Sequence, residues 1–103
     1  MKIALPTRND YKVIVQLVNE ADRVFIDIYT KTEAVEVGVG SLTEEDLISG
    51  EKVRKYLVLW ENGAIVAFAS FRLKNEQTVW VSSLYVRVDL QGQGYGSKLL
   101  KEI

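Results

Sequence analysis

The chain has 103 residues, with 13 Lys and Arg against 14 Asp and Glu, a net charge of −1 and a pI near 5.4. That length supports one domain with a single modest core, and a charge this close to neutral gives no attraction to phosphate backbones, so nucleic acid is not the expected partner. With neither cysteine nor histidine, the chain has no disulfide, thiol nucleophile or His base, and no metal site is expected.

The start, "MKIALPTRND", is too short in its apolar part for a signal peptide, and no run approaches the roughly 20 apolar residues of a membrane span. A cytoplasmic protein without membrane contact is the expectation. Lys2 to Leu5 reads as a short strand closed by Pro6, and Asn9 or Asp10 can cap the helix that follows. Ile14, Leu17, Val18, Ala21, Phe25 and Ile28 recur at helical spacing, with Gln16, Asn19, Glu20, Arg23 and Asp27 mostly opposite. This predicts one helix from Tyr11 to about Tyr29, although "RVFIDIYT" also suits a strand. "KTEAVEVGVGSL" has two glycines and no sustained period. Thr43 with Asp46 three residues on resembles a capping box, predicting a short helix that ends near Gly50. Glu44, Glu45 and Asp46 suit the first turn of that helix better than a metal cluster.

From Tyr56 onward the pattern changes. "KYLVLWENGAIVAFASFRL" predicts two strands around Asn62-Gly63, a pair suited to a turn with two positive φ angles. "KNEQ" makes a second turn, and "TVWVSSLYV" a third strand. That strand has large apolar residues on both faces (Val79 and Val81 against Trp80 and Leu84), so helices are expected on both sides of it. The fold class is α+β, with mixed α/β layers around an antiparallel meander.

"DLQGQGYGSKLL" then places Gly92, Gly94 and Gly96 between a strand and a helix. Amides at a helix start lack partners and the helix dipole adds partial positive charge, so a phosphate is well held there. A flexible turn is the other reading. The dinucleotide fingerprint fails because its third glycine would fall on Ser97, and the Walker A loop fails because "GSK" has the wrong order.

"LYVRVDLQGQGYGSKLL" resembles the acetyl-CoA signature of the GNAT superfamily of N-acetyltransferases, whose core is Gln or Arg, two residues, Gly, one residue, then Gly or Ala. Here those are Gln91, Gly94 and Gly96. The upstream order of helices and hairpin is also similar to that family, and the likeness is specific from Leu84 to Leu100. The resemblance implies one GNAT-like domain over residues 1–103 that ends just after the cofactor motif, lacking the usual C-terminal strand, helix and hairpin. It implies acetyl-CoA as cosubstrate, with the pantetheine arm along Leu84, Tyr85 and Val86. The pyrophosphate would lie on the amides of Gln91, Gly92, Gln93, Gly94, Tyr95, Gly96 and Ser97. Gln91 stands where relatives often have arginine, and Val88 where they commonly have proline.

The implied activity is direct acetyl transfer to an amine acceptor, since a cysteine acyl-enzyme is impossible. The catalytic groups stay open. Ser82 and Ser83 lie where relatives place a polar residue or water relay, yet serve equally well as strand hydroxyls. Glu33 and Glu36 lie in the segment that borders the acceptor site in relatives, and equally suit a solvated loop; Tyr29 is a further candidate. The absent C-terminal elements imply weak or no catalysis by the isolated chain. A non-catalytic CoA-binding module and a self-associating interaction module are the alternatives. An unpaired strand edge makes a homodimer the expected assembly.

Overall fold

A computed structural model describes residues 1–28 and 42–103, with side chains to Arg23 in the first stretch. Strand β1 is Lys2–Ala4, ending one residue earlier than expected and before Pro6. The helix start differs from the sequence reading. Asn9 and Asp10 lie in a 3-10 turn, Arg8–Asp10, that is fastened by Thr7. The Asp10 carboxylate accepts the Thr7 N–H at 2.8 Å, and the Asp10 N–H donates to the Thr7 carbonyl at 2.9 Å. Helix α1 then runs Tyr11–Ile28, close to its expected span. Tyr29, Glu33, Glu36 and most of "KTEAVEVGVGSL" lie outside the described residues.

Helix α2 is Glu44–Gly50. Its capping box forms as read: the Thr43 hydroxyl accepts the Asp46 N–H at 3.2 Å, and the Asp46 carboxylate accepts the Thr43 N–H at 2.9 Å. Strands β2 (Lys55–Glu61), β3 (Ala64–Asn75) and β4 (Thr78–Val86) make the meander. At its first turn Asn62 has φ 51° and Gly63 φ 80°, the two positive angles that the pair predicts. Helix α3 is Tyr95–Lys101.

The sheet is antiparallel in the order β1-β2-β3-β4, so β4 is an edge strand. Against α1 and α2 pack Tyr56, Val58, Ile65 and Phe68, meeting Ile14, Leu17, Val18 and Leu47. Against α3 pack Leu59, Val66, Ala67 and Ala69, meeting Leu99. Two irregularities keep these faces apolar. Leu59 pairs Ala67 while Trp60 pairs Ile65, which makes Val66 an extra residue. Ser70 pairs Ser83 while Phe71 pairs Val81, which makes Ser82 an extra residue in β4. Such bulges bend a strand and change which side its residues face.

Helices flank β4 on both faces, as expected, but among the described residues they do not follow its whole length. Trp80 and Val81 are exposed, and α1 and α3 reach only the end of the strand, at Ser83 to Val86. Beyond Phe71 the partner β2 has ended, so β3 and β4 continue as a two-stranded ribbon. Arg72 and Lys74 stack over the Trp80 ring on that ribbon, at 4.8 and 5.1 Å from its centroid.

Candidate cofactor-binding edge and glycine loop

The open edge of β4 can be read from one hydrogen bond. The Arg87 N–H donates to the Val66 carbonyl at 2.8 Å, so the backbone of Arg87 faces β3. Backbone groups alternate sides along an antiparallel strand. Tyr85 therefore also turns toward β3, while Leu84 and Val86 aim their N–H and C=O groups outward. Of the three residues expected along a pantetheine arm, two offer backbone to it. Tyr85 offers its side chain instead, packed toward the α1 face.

The chain leaves β4 through Arg87, whose guanidinium holds the Asp89 carboxylate by two bonds, at 2.6 and 2.9 Å. That contact keeps the Asp89 carboxyl below its usual range and shapes a 3-10 turn, Val88–Leu90, closed by Leu90 N–H to Arg87 C=O at 2.8 Å. Val88 sits at the start of this turn and is exposed. The Gln91 side chain donates from Nε2 to the Val86 carbonyl at 3.3 Å. It thus bridges the loop to an outward-facing group of β4, rather than projecting away from it.

Gly92 and Gly94 have φ of 81° and 86°, and a Cβ built on either would meet nothing within 4 Å. Their need for glycine is conformational, because an L side chain is strained at such angles. Gly96 is different. It lies in α3 with ordinary angles, and a Cβ there would touch Val86 at 3.5 Å and Leu84 at 3.7 Å. Gly96 sets how closely the helix approaches the strand.

The first backbone bond of α3 is Lys98 N–H to Gly94 C=O at 3.1 Å. The amides of Tyr95, Gly96 and Ser97 precede it and have no helical acceptor. Leu84, Val86, Gln91, Gly92, Gly94, Gly96 and Ser97 together line a groove of about 360 Å³. Gln93 is exposed in the same loop, and Tyr95 packs against Leu99 and its neighbours with Lys98 over its ring at 5.3 Å. Most of the expected cofactor residues thus converge on one groove.

Across the edge, on the α1 side, Ala21, Asp22, Ser82, Ser83 and Gln91 join Leu84 to Val86 around a second groove of about 480 Å³. Ser82 and Ser83 both line it, so these two candidates adjoin the outer edge of β4; Glu33 is outside the described residues. Burial pushes the Tyr85 hydroxyl above its ordinary pKa of 10.0, and the negative charge of Asp22 pushes it further the same way. Sequence reasoning passed over Asp22, because a carboxylate on the polar side of a helix carries no local signal. Among the described residues, no helix is long and apolar enough to cross a membrane.

Comparison with known proteins agrees with this geometry. Residues 14–103 match the acetyltransferase (GNAT) family. No curated protein sequence matches the chain significantly. Among solved structures, the PaiA N-acetyltransferase of Thermoplasma acidophilum, crystallised in complex with coenzyme A, is similar with a TM-score of 0.77 at 14% identity; 98% of this chain and 67% of that one are covered. A ribosomal-protein-alanine N-acetyltransferase of Brucella melitensis gives 0.70 at 21% identity, covering 99% and 64%. An N-acetyltransferase of Staphylococcus aureus gives 0.67 at 23% identity, covering 98% and 62%. The chain therefore spans about two thirds of the length of these structural relatives. With the family match over most of its length, a GNAT-like sheet and the glycine loop at the end of β4, the chain belongs to the GNAT acetyltransferase family.

Proposed function

We propose that this domain binds acetyl-CoA along the outer edge of β4 and in the glycine loop, and passes the acetyl group directly to an amine. The observation that carries the reading is the continuity of the outward-facing backbone of Leu84 and Val86 with the unbonded amides at the start of α3. The pantetheine amides would pair with that backbone as an added strand does. The pyrophosphate would meet the amides from Gln91 to Ser97, with the Gln91 side chain as a neutral donor in place of a charged one. Charge-assisted bonds are roughly twice as strong as neutral ones, so affinity rests more on the backbone here. An outward N–H of Leu84 or Val86 would stabilise the developing oxyanion. With no cysteine in these 103 residues, the amine attacks the thioester carbonyl itself, the C–S bond breaks, and the thiolate leaves with a proton. A resident metal has no part in this scheme.

Ser97→Glu tests the site. A negative charge in the first turn favours the helix but repels a pyrophosphate. The melting temperature should hold or rise, while calorimetric affinity for acetyl-CoA falls about tenfold. Unchanged affinity would remove the pyrophosphate from this loop. Release of CoA thiol with a panel of amines then separates transfer from the alternative of a non-catalytic CoA-binding module.

A second reading concerns assembly. Among the described residues β4 is the sheet's edge, and its first half carries the exposed Trp80 and Val81 beside backbone that no described strand pairs. Such an edge is a template for a second strand. Two copies joined there as a homodimer would leave Leu84 and Val86 for the cofactor. Light scattering at micromolar concentration decides it, and a strict monomer would end the proposal.

A further inference from the structure

Past Phe71, where β3 and β4 leave the sheet as a ribbon, one face carries a patch that the cofactor reading does not use. Phe68 packs in the α1 core, and Ser70 lines a cavity of about 280 Å³ on that side, which Asp22, Ser83 and Arg54 also border. Alternation along β3 then puts Arg72 on the same face, with Trp80 opposite it on β4. Trp80 is 48% exposed, and both the Arg72 guanidinium and the Lys74 ammonium lie over its ring. Among the described residues neither cation has a carboxylate partner.

The positive charge continues onto β2. Its first residue, Lys55, pairs with Phe71, and Lys52, Arg54 and Lys55 are all exposed. Residues 52–55 and 71–75 include no carboxylate. Of the carboxylates beside them, Glu51 is bonded to Arg8 and Tyr11, and Glu76 lies at the ribbon tip. A chain of net charge −1 thus gathers cations at one end of its sheet. Stacking leaves those cations usable. A cation over an indole still directs N–H donors outward, Arg can offer two of them to one carboxylate, and a side chain already held in place loses less entropy on binding.

The patch is also in line with the chemistry. Trp80 precedes the bulge residue Ser82, and Ser82 and Ser83 line the groove along the edge where the thioester would lie. Extended chains rise about 3.3 Å per residue, so a peptide whose amine reaches Leu84 brings side chains about four residues further on over Trp80.

We propose that the face made by Arg72, Lys74 and Trp80 is a docking surface for an acidic peptide, the segment of the acceptor that follows its reacting amine. Carboxylates of the peptide pair with Arg72 and Lys74, and its backbone lies across the indole. The net negative charge of the whole chain disfavours a polynucleotide in that place. The position of the amine rests on the acetyl-transfer reading; the docking of the peptide does not.

The test is fluorescence anisotropy with the full chain and no acetyl-CoA. The probes are short peptides with a fluorescein at the C-terminus, alike except that their central residues are all glutamate, all glutamine or all lysine. The glutamate peptide should bind at least about tenfold more tightly than the other two, since several exposed ion pairs combine at up to about fivefold each. Raising the salt from about 0.05 to about 0.5 M should remove most of that preference. Arg72→Gln and Lys74→Gln should each weaken the glutamate peptide severalfold, and together about tenfold, with melting temperature and acetyl-CoA affinity at wild-type values. Equal binding of the glutamate and glutamine peptides, or a double variant that binds the glutamate peptide as wild type does, overturns the proposal. An oligothymidylate that binds more tightly than the glutamate peptide also overturns it, because the surface would then serve nucleic acid. Release of CoA thiol separates docking from transfer. A lower KM for the unlabelled glutamate peptide than for the glutamine one, at similar kcat, supports both. A peptide that binds and is not acetylated sinks the transfer reading and leaves the docking surface standing.

Discussion

The two faces of the sheet do different work and are built from different materials. On the α1 side, aromatic rings and long aliphatics pack two helices: Tyr11 meets Tyr56 edge-on at 5.9 Å, and Tyr56 leans on Phe68 at 5.6 Å. On the α3 side the sheet offers Leu59, Val66, Ala67 and Ala69, with no aromatic ring, and one fully buried leucine of the helix, Leu99, fixes a seven-residue helix. The first face is a thick core able to hold a cavity. The second is thin, which lets the glycine loop approach the edge of β4. The glycine loop thus lies on the face that carries one short helix, opposite the face that carries two.

The largest effect should come from the single anchor of the thin face. A helix of this length is not stable without packing. Leu99→Ala removes its buried side chain and should cost about 2–5 kcal/mol in denaturant unfolding. Acetyl-CoA affinity should fall with it, because the amides of Tyr95 to Ser97 are aligned only while α3 is docked. Full affinity in a destabilised Leu99→Ala variant would show that the loop holds its shape without the helix.

The thick face has a corresponding weak point at Gly50. A Cβ there would run into the Tyr56 hydroxyl, which is bonded to the Leu47 carbonyl. Gly50→Ala should cost about 1–3 kcal/mol by overpacking, measured by thermal or denaturant unfolding. Acetyl-CoA binding should be retained, since the loop lies on the opposite face. Loss of both together would mean that the two faces are coupled through the sheet.

Within the loop, two alanine substitutions separate backbone from contact. Gly94→Ala places a side chain at φ 86° in open space, and should cost about 1 kcal/mol from strain alone. Gly96→Ala brings only ordinary contact with Val86 and Leu84 and suits a helix. It should leave stability level or slightly higher. Gly94→Val, a tempting probe of phosphate approach, would mix strain with exclusion and decide nothing.

These contrasts explain what could be read in the sequence. The glycine loop, the Asn62-Gly63 turn and the Thr43–Asp46 cap are local devices, where a backbone angle or a three-residue spacing dictates the residue types. Each formed as read. Helices flank β4 on both faces as read, but the exposure of Trp80 and Val81 was not legible, because apolar residues on both faces of a strand imply burial only when neighbours reach that far, and β2 stops opposite Phe71. The pairing of Ser70 with Ser83, and the approach of Asp22 to both, depend on register and on the bulge at Ser82. No window of sequence contains them. One sign was available: a lone serine in "AIVAFASF" is a polar group in a run that otherwise reads as buried.

The smallest expected effect lies at the outer end of the thick face, where the Arg8 guanidinium bonds Glu51 at 2.8 Å and the Tyr11 hydroxyl donates to the same carboxylate at 2.8 Å. Burial, then the hydrogen bond to Glu51, pushes the Tyr11 hydroxyl up to about 12. The unfolded chain loses this proton near the ordinary value of 10.0, so alkali favours unfolding across the interval between the two values. The contribution of Tyr11 is fully present below pH 10 and is lost as pH rises toward 12. Glu51 acts at the other end. Arg8 and Tyr11 hold its carboxyl below the ordinary 4.5, so its contribution is present above that pH and is lost as pH falls through the lowered folded value. Tyr11→Phe should therefore flatten the fall in stability between pH 10 and 12, read from unfolding midpoints of the two proteins side by side. Part of the fall will remain, because burial also raises the Tyr56 and Tyr85 hydroxyls. Arg8→Ala should change the neutral-pH midpoint little, as an exposed ion pair contributes little, and should slightly flatten the acid limb, because Glu51 then sits closer to its ordinary value in the folded protein. Identical alkaline limbs for wild type and Tyr11→Phe would mean that Tyr11 ionises in the folded protein as easily as in the unfolded one, and that its contact with Glu51 does not persist in solution.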